Sequence, residues 1–354
     1  LYFPNSCLRM RGSMKRILII KMSALGDILH TLPAVTDALK ANPDICFDWL
    51  CEQPFMDVAR LHPAVRQVIG HPRLRWKKNR WSMQTLREQL SFYKVLRHEK
   101  YDLVIDAQGR IKSARVGWLS GSPVVGLDKD SATDSETRLF YRQGYNVPRD
   151  MNAVERVRKL FAQALGYQYQ GEPDFGIQGH RLDNAFPEYT GAWICFHGTT
   201  WASKHWPEAN WIDLLAQAKQ EQQMVLLPWG SEQERQRAER MTTEAQWGVV
   251  LPKLSLWQLS GIISRCAAAV GVDTGLMHIA AACGVPTVSV FGSTSIALTA
   301  AHGERVINLA SSYSCSPCLK KVCPLNEESP PCYAELNATR VRDTVRELSG
   351  KYCE

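Results

Sequence analysis

Two doubly wound, Rossmann-like α/β domains facing a cleft are the fold this sequence predicts, and three observations carry that expectation. The chain has 354 residues, enough for two domains with separate cores. Short β-rich apolar runs alternate with longer stretches of helical period along most of its length. Those short runs are apolar on both faces, as strands are when helices cover both sides of a parallel sheet.

In order, the first half offers strands at 17–20, 47–51, 103–107 and 124–127, with helical periods at 32–41, 56–61, 83–98 and 113–119. A helix at 153–165 leads into a polar, Gly/Pro-bearing stretch from Gly166 to about Glu188, which reads as a hinge. The pattern then restarts, with strands at 193–197, 224–228, 268–272, 287–291 and 306–309 and helices at 211–220, 232–241, 256–264 and 276–283. A last helix at 338–348 is free to pack on either domain. The expected domains are 14–178 and 179–354. Ligands are expected at the carboxyl ends of the strands.

Composition narrows the function. With 45 % hydrophobic and 22 % charged residues the chain is folded rather than disordered. No apolar run approaches the roughly 18–20 residues that span a bilayer. The eleven cysteines are scattered apart from one late cluster, unlike a disulfide-stapled secreted fold. Forty-two Lys and Arg against 35 Asp and Glu leave +7, which suits an anionic substrate or a membrane surface and gives only weak support for nucleic acid. Residues 1–13, LYFPNSCLRMRGS, read as an appended leader before a native start at Met14, and Arg9 and Arg11 in it supply two of the seven charges. Only four apolar residues separate Arg16 from Lys21, too few for a secretory signal, so a cytoplasmic location is expected.

The chemistry is expected at the strand ends. After 17–20 comes Lys21-Met22-Ser23-Ala24-Leu25-Gly26-Asp27, without the GxGxxG of a dehydrogenase. Asp27 reads either as a helix-start acid or as a general base protruding beside the Gly26 turn. Gln108, Arg110 and Lys112 follow 103–107 as an anion-facing loop or as ordinary helix-start polarity. The stretch 71–81, HPRLRWKKNRW, puts Arg73, Arg75, Lys77, Lys78 and Arg80 among tryptophans. It suits phosphates, lipid headgroups, nucleic acid or a solvated loop. In the second half Gly198-Thr199-Thr200 and Lys204 precede a Pro-initiated helix, a good phosphate clamp. Glu232 and Glu234 behind Pro228-Trp229-Gly230 offer carboxylates for ribose hydroxyls. Asp273-Thr274-Gly275 opens a further helix that carries His278, and both Asp273 and His278 also have purely structural readings.

Taken together, K-x-S-x-x-G-D-x-x-H-x-L-P at 21–33, T-T-x-x-x-K-H-W-P at 199–207, D-T-G-x-x-H at 273–278, PWG at 228–230 and DAQG at 106–109 resemble the lipopolysaccharide heptosyltransferases of glycosyltransferase family 9, nearest the heptosyltransferase I branch. The resemblance runs from Met14 to the end. It implies a GT-B fold and an inverting glycosyltransferase that moves L-glycero-D-manno-heptose from ADP-heptose to a Kdo residue of phosphorylated Kdo-lipid A. The N-terminal domain would hold the acceptor and the C-terminal domain the donor. By carry-over Asp27 is the base and Lys204 holds the donor phosphates. Ser23, Thr199, Thr200, Glu234, Leu254, Asp273, Thr274, Gly275 and His278 would contact the donor. Arg73, Arg75, Lys77, Gln108 and Lys112 would meet the acceptor. No cofactor or catalytic metal is implied, and the enzyme would sit peripherally on the inner membrane of a Gram-negative cell.

Asp128-Lys129-Asp130 spells the DxD of metal-dependent transferases but reads as a solvated loop. Two positions depart from the family pattern on the acceptor side. Thr133-Asp134 stands where the pattern has Arg-Glu, and Asn152 where it has His. Transfer of a hexose to the inner core therefore stays open, as does a non-catalytic sugar-nucleotide binding protein. Cys315, Cys318, Cys323 and Cys332 read as inert thiols or as a small structural metal site.

Overall fold

The structure, a computed structural model, describes residues 15–179, 182, 185–326 and 329–350. The expected leader and the start at Met14 lie outside these residues. The chain divides into two compact units, Leu1–Gly176 and Ile177–Glu354.

In the first unit the elements run β1 (Lys15–Ile20), α1 (Leu25–Leu29), α2 (Leu32–Ala41), β2 (Ile45–Glu52), α3 (Met56–Ala59), β3 (Val65–His71), α4 (Arg73–Lys78), α5 (Met83–His98), β4 (Leu103–Asp106), α6 (Ile111–Leu119), β5 (Val124–Leu127), β6 (Gln143–Tyr145) and α7 (Ala153–Leu165). The six strands form one parallel sheet in the order β3-β2-β1-β4-β5-β6. β1 is central with β2 beside it, and Leu18, Ile19, Ile20, Trp49 and Leu50 lose all contact with solvent. Burying each such aliphatic side chain contributes roughly 1.5–3 kcal/mol. Asp48 sits in the middle of β2, yet its carboxylate accepts from Arg66 Nε (3.0 Å), Tyr101 OH (3.0 Å) and Arg16 (3.4 Å). A charge buried that deeply persists because every lone pair has a donor. Asn152 caps α7 by accepting from Val154 N (2.9 Å), and Gly166 ends it at φ +74°, a left-handed turn that a Cβ would disfavour.

The second unit repeats the plan with β7 (Trp193–Phe196), α8 (Glu208–Gln220), β8 (Val225–Leu227), α9 (Glu232–Ala245), β9 (Val249–Val250), α10 (Leu256–Ile263), β10 (Ala268–Val272), α11 (Gly275–Ala282), β11 (Thr287–Phe291), α12 (Ile296–Thr299), β12 (Val306–Ala310) and α13 (Ala338–Gly350). Its parallel sheet runs β12-β11-β10-β7-β8-β9, the same winding read from the other edge. The final helix packs in this unit. Val341, Val345 and Leu348 share a core with Trp211, Val270 and Val290, and Trp206 Nε1 donates to Leu336 O at 2.7 Å.

The interior strands and the longer helices fall where the apolar runs place them. β3, β6 and β9 were not expected, and all three are edge strands or lie next to an edge. The stretch 71–81 is not a loop throughout: α4 forms across it because Trp76 is buried edge-on against His71, Phe92 and the rest of α5.

Candidate active site

Each sheet reverses its winding once, between β1 and β4 in the first unit and between β7 and β10 in the second. Two loops diverge at such a point and leave room for a ligand. In both units most of the expected polar residues sit there.

In the first unit the two loops are tied together. Lys21 Nζ donates to Ala107 O (2.8 Å), and Gln108 Oε1 accepts from the backbone N–H of Met22 (2.9 Å) and Ser23 (3.2 Å). Gln108 is held from below by Asp106, a buried residue at the end of β4. The Asp106 carboxylate accepts from Tyr141 OH (2.7 Å), Ser113 Oγ (2.8 Å) and Gln108 N (2.9 Å). Burial pushes the Asp106 carboxyl above its usual range against the pull of those donors. Asp27 lies in the first turn of α1. Its Oδ2 accepts from Ala24 N at 3.0 Å, and its Oδ1 stands 3.9 Å from Lys21 Nζ. The side chain is still 47 % exposed, so the helix-start role leaves one face of the carboxylate open. That face borders a cavity of about 180 Å³ lined by Lys21, His30, Gln108, Arg110 and Arg156. Arg156 Nη2 donates to Ser131 O (2.9 Å). Arg110 belongs to the loop expected to face an anion and His30 is the histidine of the 21–33 motif, whereas Arg156 was not singled out in the sequence.

The residues expected to meet the acceptor divide among three places. Gln108 shares the Asp27 cavity. Arg73, Lys77 and Lys112 line a second cavity of about 440 Å³ together with Arg80 and Arg115. Arg75 lines a third beside Lys78 and pairs with Glu88 at 2.7 Å. Arg73 is anchored by Glu52, at the end of β2, at 2.6 Å. The two departures from the family pattern do structural work. Asp134 Oδ2 accepts from Ile111 N (3.0 Å) at the start of α6, and Asn152 caps α7. Asp128 folds onto its own turn, accepting from Ser131 N (2.9 Å) and Asn146 Nδ2 (3.0 Å), which holds its carboxyl below the usual range despite partial desolvation.

In the second unit Lys204 Nζ meets Asp273 Oδ2 at 2.7 Å, joining the loop after β7 to the end of β10. Asp273 Oδ2 also accepts from Thr299 Oγ1 (3.2 Å), and Thr199 Oγ1 donates to Asp273 O (3.2 Å). Lys204 lies over the Trp201 ring, 4.8 Å from its centroid. Thr274 caps α11 without a side-chain bond, Gly275 opens it, and His278 is buried along it. Thr200 is exposed on the turn. Glu234 is the acid of a capping box. Its Oε2 accepts from Gly230 N (2.6 Å) and Ser231 N (3.0 Å), while Ser231 Oγ accepts from Glu234 N (3.3 Å). Its Oε1 lies against Gly198, where an added Cβ would stand 2.4 Å away. Leu254 is half-buried in the loop between β9 and α10, where Trp229 Nε1 donates to Leu251 O (2.6 Å). Thr299 and Arg237, whose Nη1 donates to His205 Nδ1 (2.7 Å), carried no signal in the sequence.

The four late cysteines all line one cavity of about 220 Å³. They are unbridged thiols, and burial pushes that of Cys332 up to about 11. Cys315 is exposed while Cys332 is buried. Among the described residues no group of three or more His, Cys, Asp or Glu is placed to hold a metal ion, so the structural-metal reading finds no arranged ligand set.

Two parallel six-stranded α/β units, each with polar loops at its switch point, are the architecture of the GT-B fold, and solved heptosyltransferases share it. The model of glycosyltransferase family 9 (heptosyltransferase) matches residues 89–328. Lipopolysaccharide heptosyltransferase 1 of Pseudomonas aeruginosa is 45 % identical over 92 % of this chain and 96 % of its own length. The Escherichia coli K12 protein of the same name is 39 % identical over 82 % of this chain and 92 % of its own. The structure of E. coli heptosyltransferase WaaC with ADP-2-deoxy-2-fluoro heptose superposes with a TM-score of 0.79 at 33 % identity, covering 94 % of this chain and 99 % of that one. The chain belongs to glycosyltransferase family 9, the heptosyltransferases.

Proposed function

We propose that this chain transfers L-glycero-D-manno-heptose from ADP-heptose to a Kdo residue of phosphorylated Kdo-lipid A, with inversion, in assembly of the lipopolysaccharide inner core. The observation that supports this most is the contrast between the two switch points. One offers a half-exposed carboxylate, Asp27, above a polar cavity. The other offers an ammonium, Lys204, between two threonine-bearing turns.

The acceptor hydroxyl oxygen attacks the anomeric carbon and its proton passes to the open carboxylate oxygen of Asp27. The bond from that carbon to the diphosphate breaks, its electron pair stays on the phosphate oxygen, and ADP departs. A positioned base contributes typically about 10²–10⁴-fold. Lys204 and the backbone N–H groups of the Thr199–Thr200 and Thr274–Gly275 turns take up the charge on the leaving diphosphate. This reading routes no step through a metal or cofactor. Asp273 holds Lys204 in place and, with His278, borders the heptose. Ser23 lies on the donor side, Glu234 Oε1 faces ribose, and Leu254 lies beside adenine. Arg73, Arg75, Lys77, Gln108 and Lys112 meet the acceptor and its phosphates. The first unit is thus the acceptor half and the second the donor half.

Among the described residues no helix is long and apolar enough to cross a membrane. The reading places the enzyme in the cytoplasm, peripheral on the inner membrane where its acceptor is anchored. The test is incubation with Kdo-lipid A and either ADP-heptose or UDP-glucose, read by mass spectrometry. A heptosylated product with ADP-heptose alone is expected. A product only with UDP-glucose would replace this reading with hexose transfer.

A further inference from the structure

Helix α5 carries exposed apolar side chains on its outer face. Trp81 just before it is 87 % exposed, Met83 65 %, Leu86 49 % and Leu90 65 %. Met83, Leu86 and Leu90 stand at i, i+3 and i+7 and form one stripe. The opposite face is fixed to the unit: Thr85 and Leu96 are buried, and Phe92 packs on the core around β1 and β4. The stripe is therefore held outward by a helix that cannot roll to hide it.

Charge says what such a face meets. Arg87, Lys94 and Arg97 flank the stripe on the exposed arc, and Lys77, Lys78 and Arg80 stand beside its Trp81 end, all exposed. From Arg73 to His98 there are eight Lys and Arg against one carboxylate, Glu88, already paired with Arg75. A second copy of the chain would bring eight more cations onto the same patch. An aqueous protein surface would leave Trp81 and Leu90 unexplained. Apolar side chains rimmed by cations, with a tryptophan at the edge, match a bilayer interface bearing anionic headgroups.

We propose that the Trp81–Leu90 face of α5 is the membrane-docking surface of this protein, with Met83, Leu86 and Leu90 entering the headgroup layer of an anionic bilayer and the flanking cations resting on its phosphates. This deepens the reading that the acceptor is lipid-anchored and rests on it. Docking through α5 lays the basic cavity of Arg73, Lys77 and Lys112 close to the membrane plane, where the phosphates of a lipid-linked acceptor lie.

The experiment compares the protein with its Met83→Ser/Leu86→Ser/Leu90→Ser variant in sedimentation with vesicles of phosphatidylcholine alone or with one quarter phosphatidylglycerol. Val95→Ser, an equally exposed apolar residue off the stripe, serves as control. The wild type is expected to bind the anionic vesicles and to lose that binding in 1 M salt. The triple variant is expected to bind at least about tenfold more weakly, with Val95→Ser unchanged. Thermal melting and heptose transfer to detergent-dispersed acceptor should match the wild type in both variants. Wild-type binding that the triple variant retains would overturn the assignment of this face. A wild-type dimer made monomeric by the triple substitution would overturn it in favour of self-association. Heptose transfer by a wild type that ignores anionic vesicles would overturn the docking proposal while leaving the enzyme assignment standing.

Discussion

Asp27 and Lys204 are opposite cases of what one side chain can do for a site. Asp27 is tied to the fold by a single bond from Ala24 N and has an open oxygen, so Asp27→Asn should keep its cap and its fold. It should cut turnover about 10²–10⁴-fold while ADP-heptose binding, followed by titration calorimetry, stays within a factor of two to three of wild type. Turnover that survives would place the base elsewhere. Lys204 is largely buried against a buried Asp273, so removing its charge does two things at once. Lys204→Met should weaken donor binding and also destabilise the second unit by about 3–5 kcal/mol, because a buried carboxylate loses its counter-charge. The double variant Lys204→Met/Asp273→Asn should recover most of the stability and none of the activity. Recovery of both would mean that the pair is structural and does not hold the diphosphate.

Among elements, the turn after β7 shows how tightly the donor half is built. Gly198 is there because the Glu234 carboxylate, pinned by Gly230 N and Ser231 N, occupies the space a side chain would need. Gly198→Ala should therefore push Glu234 off its cap. The expected result is a loss of about 1–2 kcal/mol, since a capping interaction is worth about that much, together with weaker ADP binding. Unchanged calorimetric melting and affinity would show that the cap yields freely. The same turn separates what sequence reveals from what it conceals. Interior strands such as β1 from Ile17 onward and β10 are unbroken apolar runs because both faces are covered, and they are legible at sight. β3 reads Val-Arg-Gln-Val-Ile-Gly-His, half exposed at the sheet edge, and its polar residues hide it. α4 is held by Trp76 against α5, a tertiary contact that overrides a run of like charges poor in helix signals. The site divides in the same way. Asp27, Thr199, Lys204 and Asp273 announce themselves as short motifs at strand ends. The residues that position them do not: Tyr141 reaches Asp106 across 35 residues and Thr299 reaches Asp273 across 26, separations that no local pattern encodes.

For the molecule as a whole, the net charge of +7 is the sum of uneven parts, and its acid response is decided by histidines that the charge count leaves neutral. Burial pushes His62, His71 and His197 each down to about 4. At His62 the geometry fixes the neutral form. Ala64 N donates to Nδ1 at 3.1 Å, so the proton sits on Nε2 and points to Thr36 Oγ1 at 2.9 Å, leaving no site for a second proton without breaking a bond. An unfolded histidine titrates near 6.5. Between about pH 6.5 and 4 the unfolded chain therefore binds protons that the folded chain refuses, and folding weakens as pH falls through that window. Three such groups give a slope approaching about 4 kcal/mol per pH unit where all three are engaged. Carboxyls held below their usual range, such as Asp128 and Asp174, act only at lower pH and leave the window to the histidines. Differential scanning calorimetry should show a stability plateau above about pH 6.5 and a falling Tm toward pH 5. His62 and His71 lie in the first unit and His197 in the second, where burial also holds His205 down, so both units should weaken. His62→Gln should lower Tm at pH 7.5, where a good hydrogen bond is lost, and flatten the fall below it, where a protonation penalty is lost. A Tm that stays level from pH 7.5 to 5, or a His62→Gln slope equal to wild type, would show that these histidines take up protons in the folded state and that burial does not keep them neutral.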